Sequence, residues 1–177
     1  MNSLSKLTIM LFLLILTGCA SVTGFHQPAK NEQSVNKLIT YKYDDFEKTG
    51  WLSTAKYLGE FDNGYNGVTH SYRANYDSKN KLVFIQLYMT LMASDWYFIN
   101  NVLDTKGTKF DFVKIDREVI SGGTVHETFG ITITKNQLEV FAKKDLLLKV
   151  SGKRHYGIFT LSKHLSAAFL GAINERG

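Results

Sequence analysis

The chain has 177 residues, 44% of them hydrophobic and 21% charged, which is the composition of one globular domain and excludes a disordered or collagen-like polymer. The formal net charge is +5, but the basic residues are scattered and form no Lys/Arg cluster, so no nucleic-acid partner is expected. A single cysteine, Cys19, excludes an internal disulfide.

The first 18 residues read as an export signal. Lys6 supplies a positive n-region, and Leu7 to Leu16 is apolar apart from Thr8. That run is far short of the ~20 residues a permanent membrane-spanning helix needs. It ends in Leu16-Thr17-Gly18-Cys19, an aliphatic residue and two small residues before a cysteine, which resembles the lipobox of bacterial lipoproteins. The resemblance implies cleavage between Gly18 and Cys19, and diacylglycerol plus an N-acyl chain on Cys19. It also makes a lipid bilayer the first partner. Each buried methylene contributes ~0.8 kcal/mol, so two or three chains would hold the protein durably. Ala20 and Ser21 follow with no aspartate, which by the same likeness implies the outer membrane, facing the periplasm. Residues 19–36 are polar, contain the only proline (Pro28) and lack periodicity, so they read as a lipidated tether to a single β-rich domain over 37–177.

Strand signals dominate that domain. From Val68 to Tyr76, His70, Tyr72, Ala74 and Tyr76 alternate with Thr69, Ser71, Arg73 and Asn75, the pattern of a half-buried strand with an aromatic face. Lys81 to Met92 is an apolar run broken only by Gln86 and Thr90, predicting a central strand covered on both faces. A strand is expected over Trp96–Leu103, then a turn at Asp104-Thr105-Lys106-Gly107. Residues 110–121 and 124–133 read as a hairpin around Gly122-Gly123. A three-residue loop pairing 121 with 125 sets Val113 against Ile133, Ile115 against Ile131 and Arg117 against Phe129, gathering apolar residues on one face, with Arg117 near Glu127.

Thr134 and Gln137 have the form of a capping box ahead of a helix bearing Leu138, Phe141 and Ala142. Two short strands follow, Leu146–Val150 and His155–Leu161, around a turn at Ser151-Gly152. Ser162 caps a last helix with Leu165, Ala168, Phe169, Ala172 and Ile173 as its stripe. The fold class expected is mainly β, an antiparallel sheet or sandwich, with a short helix and a C-terminal helix; an α+β arrangement is the alternative. The stretch from Trp96 through Asp116-Arg117-Glu118-Val119, His126-Glu127-Thr128 and Leu161 to Phe169-Leu170 is similar to a class of small bacterial lipoproteins without an assigned activity. That likeness implies localisation and no mechanism.

Chemistry is sparse. The five histidines have no metal-ligand spacing, Asp44, Asp45 and Glu47 lack the alternation of a calcium loop, and no nucleophile elbow or phosphate loop occurs, so no catalytic residue, metal or cofactor is expected. The candidate ligand-face or structural residues are His70, Tyr72 and Tyr76 on one strand and the pair Arg117–Glu127, for which a structural role is the simpler reading. The concentrated aromatics, including Tyr41, Tyr43, Trp51, Tyr57, Tyr88 and Trp96, could line a binding surface, though core packing explains most of them. A non-enzymatic binding or assembly role with a periplasmic protein or envelope component is therefore expected. The alternatives are an inhibitor or immunity-type lipoprotein, which an exposed aromatic or acidic protrusion would favour, and a hydrolase of envelope polymers, which a deep pocket joining His70 or His155 to a carboxylate would favour.

Overall fold

The computed structural model describes residues 24–59, 61, 67–120 and 122–176; the signal peptide, Gly18 and Cys19 lie outside them. Seven strands form the larger sheet: β1 (Thr40–Asp44), β2 (Thr49–Ser53), β3 (Tyr57–Gly59), β4 (Gly67–Tyr76), β5 (Leu82–Ala93), β7 (Asp111–Val119) and β8 (Val125–Ile133). Their order is β1-β2-β4-β5-β8-β7, with β3 beside the first half of β4, and every pairing is antiparallel. The smaller sheet has the order β10-β9-β6, from β6 (Ile99–Asp104), β9 (Leu146–Gly152) and β10 (Tyr156–Leu161). Among the described residues three helices complete the fold: α1 (Glu32–Asn36), α2 (Lys135–Phe141) and α3 (Lys163–Asn174). The architecture is mainly antiparallel β with short helices and a C-terminal helix.

The alternation in β4 forms the predicted aromatic face, but the strand is buried on both sides rather than half-buried: Thr69, Ser71 and Asn75 opposite are covered too, being small side chains set among the larger Trp51, Arg73 and Tyr88. Val68, His70, Tyr72, Ala74 and Tyr76 are buried on one face, joined by Ile85, Leu87, Met89 and Leu91 of β5 and by Phe129, Ile131 and Ile133 of β8. The C-terminal helix and the small sheet cover this face: the Tyr72 ring stacks on Phe169 of α3 at 5.2 Å, and Phe159 of β10 meets the His70 ring edge-on at 4.8 Å. Both predicted caps form. Thr134 and Gln137 bond reciprocally, and the Ser162 hydroxyl accepts the His164 N–H. The Asp104 carboxylate closes its turn by accepting from Lys106 and Thr108.

Five further local expectations are corrected. β5 is central, but Phe84, Tyr88, Thr90 and Met92 on its second face are only partly covered, because an apolar run does not distinguish a packed neighbour from side chains that shield one another. The strand expected from Trp96 begins at Ile99, since Phe98 takes a left-handed conformation (φ 53) that a strand cannot contain. The β9–β10 turn falls beyond Ser151-Gly152: Tyr156 pairs with Ser151, and the Gly152 N–H donates to the His155 carbonyl.

In the β7–β8 hairpin, Val119 pairs with Val125 and Arg117 with Glu127, and a bulge falls between Lys114 and Asp116. Gly122 and Gly123, both left-handed (φ 86 and 82), sit inside a turn closed by Ile120 and Thr124. The predicted register maximised apolar pairing, which presumed a packed β7. β7 is an edge strand whose Val113 and Ile115 are exposed, so apolar matching had no burial to drive it. Finally, the stretch expected to be a tether is docked over its described part. His26 donates to the Lys56 carbonyl and accepts from Leu58, the Ala29 carbonyl accepts from Ser162, and Val35 of α1 is fully buried against the core.

Candidate functional site

Of the expected site residues, the structure brings Arg117 and Glu127 together and shows what the pairing is for. The Glu127 side chain, 2% exposed, points inward from β8. One oxygen accepts the backbone N–H groups of Tyr97 (2.6 Å) and Phe98 (2.8 Å), and the other accepts Ile99 N–H (2.9 Å) and Arg117 Nε (2.8 Å). Arg117 also donates to the Ile99 carbonyl at 3.1 Å, and its guanidinium lies 5.2 Å from the Phe98 ring centre. A carboxylate taking four donors in place of water is the condition under which a buried charge is tolerated. The left-handed turn at Phe98 aims three successive N–H groups at one point, so Glu127 ties the start of β6 in the small sheet to β7 and β8 in the large one. All four donors belong to the protein, so the constellation is a latch and leaves no open position for a ligand.

His70, Tyr72 and Tyr76 share one face, as read from the sequence, but that face is core. Tyr72 donates or accepts a 3.0 Å bond with Ser166 of α3, and burial raises its phenol. Burial pushes His70 down to about 4, against a smaller upward pull from the Tyr57 backbone, so the ring is neutral near pH 7. A cavity of about 210 Å³ beside it is lined by Pro28, Ala29, Gly59, Asp145, Thr160 and Ser162, among others. Two of its polar members are held by nearby backbone, Asp145 accepting Lys163 N–H and Ser162 capping α3 and donating to the Ala29 carbonyl, whereas the buried His70 Nδ1 has no hydrogen-bond partner among the described residues. Two histidines pair with carboxylates at the surface: His155 Nε2 lies 3.5 Å from Asp95, which it shares with Arg154, and His126 Nδ1 lies 3.6 Å from Glu118. None of these groups, among the described residues, contains a hydroxyl bonded to a histidine ring nitrogen, the geometry a nucleophile and its base require. Among the described residues no cluster of three His, Cys, Asp or Glu could hold a metal.

The feature that sequence reasoning missed is the tip of the β1–β2 hairpin. Phe46 is 97% exposed, the most exposed of the large hydrophobic side chains among the described residues. Its backbone is fixed: one Asp44 oxygen accepts both Phe46 N–H (2.8 Å) and Glu47 N–H (3.0 Å), and Lys48 takes a left-handed φ of 53. Those two N–H bonds, Glu47's the larger, hold the Asp44 carboxyl below its ordinary range. Asp44, Asp45 and Glu47 flank in sequence an aromatic ring that nothing in the domain covers, with Lys48 after them and half-exposed Tyr43 before. The available signal was a phenylalanine amid four charged residues, Asp44-Asp45 before it and Glu47-Lys48 after it, where a turn was due.

The fold and these surfaces define an antiparallel β domain with an internal ionic latch and an aromatic, acidic protrusion. The chain matches no protein-family profile, no curated protein and no solved structure. No helix among the described residues is long and apolar enough to cross a membrane.

Proposed function

We propose that this chain is a lipid-anchored protein of a bacterial cell envelope, held by acylated Cys19 and acting through a protein partner without catalysis. The observation that supports a binding role is Phe46, an aromatic side chain kept in water on a braced turn. Burying it in a partner's pocket is worth about 1.5–3 kcal/mol, and a pre-organised backbone lowers the ordering cost of doing so. Three carboxylates on the same hairpin tip favour a pocket rimmed by Lys or Arg. An aromatic anchor flanked by acid is suited to capping a basic site on another protein, so among binding roles the inhibitor or immunity type is favoured. The ring is poorly suited to entering a bilayer of acidic lipids, which would repel its carboxylates.

The test is recovery of the partner from membranes with native chain and with Phe46→Ser. The expected outcome is one protein recovered with the native chain and depleted about tenfold or more with the variant, at unchanged thermal stability. Identical recovery with both would refute the hairpin's role. The anchor is tested by mass: residue 19 should carry acyl chains at the mature N-terminus, and an intact Met1 or a free thiol at Cys19 would refute it. Turnover of an envelope polymer by the purified protein would favour the hydrolase reading instead.

A further inference from the structure

The face of the large sheet that points away from α3 and the small sheet carries a second feature. β2, β4 and β5 together contain one charged residue, Arg73, and no carboxylate. Arg73 lies half-buried on that outer face, its Nε donating to Gln86 at 2.8 Å. The guanidinium is held between two rings, 4.6 Å from the centre of Tyr88 and 5.3 Å from that of Trp51, and Phe84 packs edge-on against Trp51. Gly130 on β8 leaves the space that Gln86 occupies, since a Cβ there would sit 2.4 Å from its amide carbon. No carboxylate of the described residues lies within 4 Å of Arg73, whereas Arg117 and Arg154 each have one. Partly desolvated charges in folded proteins are compensated, and this one is braced on three sides without a counter-ion. Its terminal nitrogens are the natural place for an oxyanion.

Two observations bear on which anion. First, the surroundings are partly exposed Trp51, Tyr88, Phe84 and Met92 with Lys56, whose ammonium stands 6.0 Å from the Tyr88 ring centre. Amphipathic rings with basic side chains are the composition of a membrane interface. The carboxylates on the same face are confined to the sheet's edges, Asp44 at the end of β1 and Asp111, Asp116 and Glu118 on β7. Second, the chain enters the domain beside this patch, His26 N–H donating to the carbonyl of Lys56. Cys19 lies seven residues earlier, a covalent reach of at most about 25 Å.

We propose that the outer face of β2, β4 and β5 lies against acidic phospholipid, with the Arg73 guanidinium on a headgroup phosphate and Trp51 and Tyr88 in the interfacial layer. This rests on the lipid anchor proposed above and adds an orientation: the tether is short because the domain is laid flat, leaving the Phe46 hairpin at the rim of the contact.

The test uses the full chain purified from membranes, with Trp96→Phe so that Trp51 is the sole tryptophan. It is reconstituted in phosphatidylglycerol or phosphatidylcholine vesicles with brominated acyl chains. Trp51 emission should be quenched in the acidic vesicles and much less in the neutral ones. Arg73→Gln should lower the ratio of docked to free domain about fivefold, and Arg73→Lys should retain part of the docking. Where Arg73→Gln does not fold, the unsubstituted protein at molar salt decides the point, because screening should release the quench. Equal quenching in both lipids, or quenching indifferent to Arg73→Gln and to salt, would overturn the proposal. A chain that floats with the vesicles through acylated Cys19 while Trp51 stays unquenched keeps the anchor and overturns the docking. A chain unmodified at Cys19 but quenched on acidic vesicles does the reverse. If millimolar inorganic phosphate raises the melting temperature through Arg73 while vesicles give no quench, the anion is a soluble one and the membrane orientation is wrong.

Discussion

Exchanging Glu127 for glutamine keeps the shape of the latch and removes its charge, which makes it a direct probe of what joins the two sheets. In the native protein each oxygen serves two donors: Tyr97 and Phe98 N–H on one, Ile99 N–H and Arg117 Nε on the other. A glutamine amide offers one oxygen, and its NH2 must face two of these four donors. Each buried donor left without an acceptor costs about 1–3 kcal/mol, and the two surviving bonds fall from the charged to the neutral range. The sum is about 3–5 kcal/mol, the range found when a buried ion pair loses one partner. For a chain of this size that is a fall in melting temperature of about 6–20 °C, with a matching drop in the urea midpoint. Arg117→Met should cost less, about 1–2 kcal/mol, because the carboxylate keeps its three backbone donors and Arg117 is partly exposed. Urea unfolding followed by far-UV dichroism measures both. A Glu127→Gln midpoint within error of the native one would refute the latch, and a larger loss for Arg117→Met would show that the ion pair, not the backbone cradle, carries the stability.

Four further outcomes are expected. His70 is held at about 4 in the fold but titrates near 6.5 when unfolded, so below pH 6.5 the unfolded chain takes up a proton the folded one refuses. Its contribution is complete above pH 6.5 and is lost as pH falls to about 4, a swing of about 3 kcal/mol that His70→Gln should abolish; parallel pH profiles for the two proteins would refute it. The lowered carboxyls of Asp44, Asp95 and Asp104 act in a separate window, below their ordinary 3.8. Gly152→Ala should destabilise by about 1–3 kcal/mol in calorimetry, since its Cβ would meet the Tyr97 and Phe98 backbone that feeds Glu127. Thr134→Ala should cost about 1 kcal/mol through the lost capping box, read from the same scans. Phe46→Ser should leave the midpoint within about 0.5 kcal/mol, as its ring touches nothing in the fold.

What the sequence determined alone is what is coded at short range. The period-two pattern of β4 sorted His70, Tyr72 and Tyr76 onto the core face because alternate side chains of any strand point to opposite sides. Thr134, Ser162 and Asp104 were legible because a cap or an Asx turn needs only the backbone two to four residues away. The neighbourhood of Arg117 and Glu127 could also be foreseen, since a hairpin makes distant partners local. The tertiary structure decided everything that depends on what packs where. The apolar residues of β7 suggested a register matched to those of β8, yet the strand lies at an edge, and its register follows the Glu127 latch rather than hydrophobic matching. Three of that latch's donors are main-chain groups of residues 97–99, which no side-chain pattern announces. Phe46 and Phe159 are the same residue type, one in water and one at the centre of the core. The difference lies in which elements the chain folds over each, a sum of many weak long-range contacts that a short window of residues does not contain.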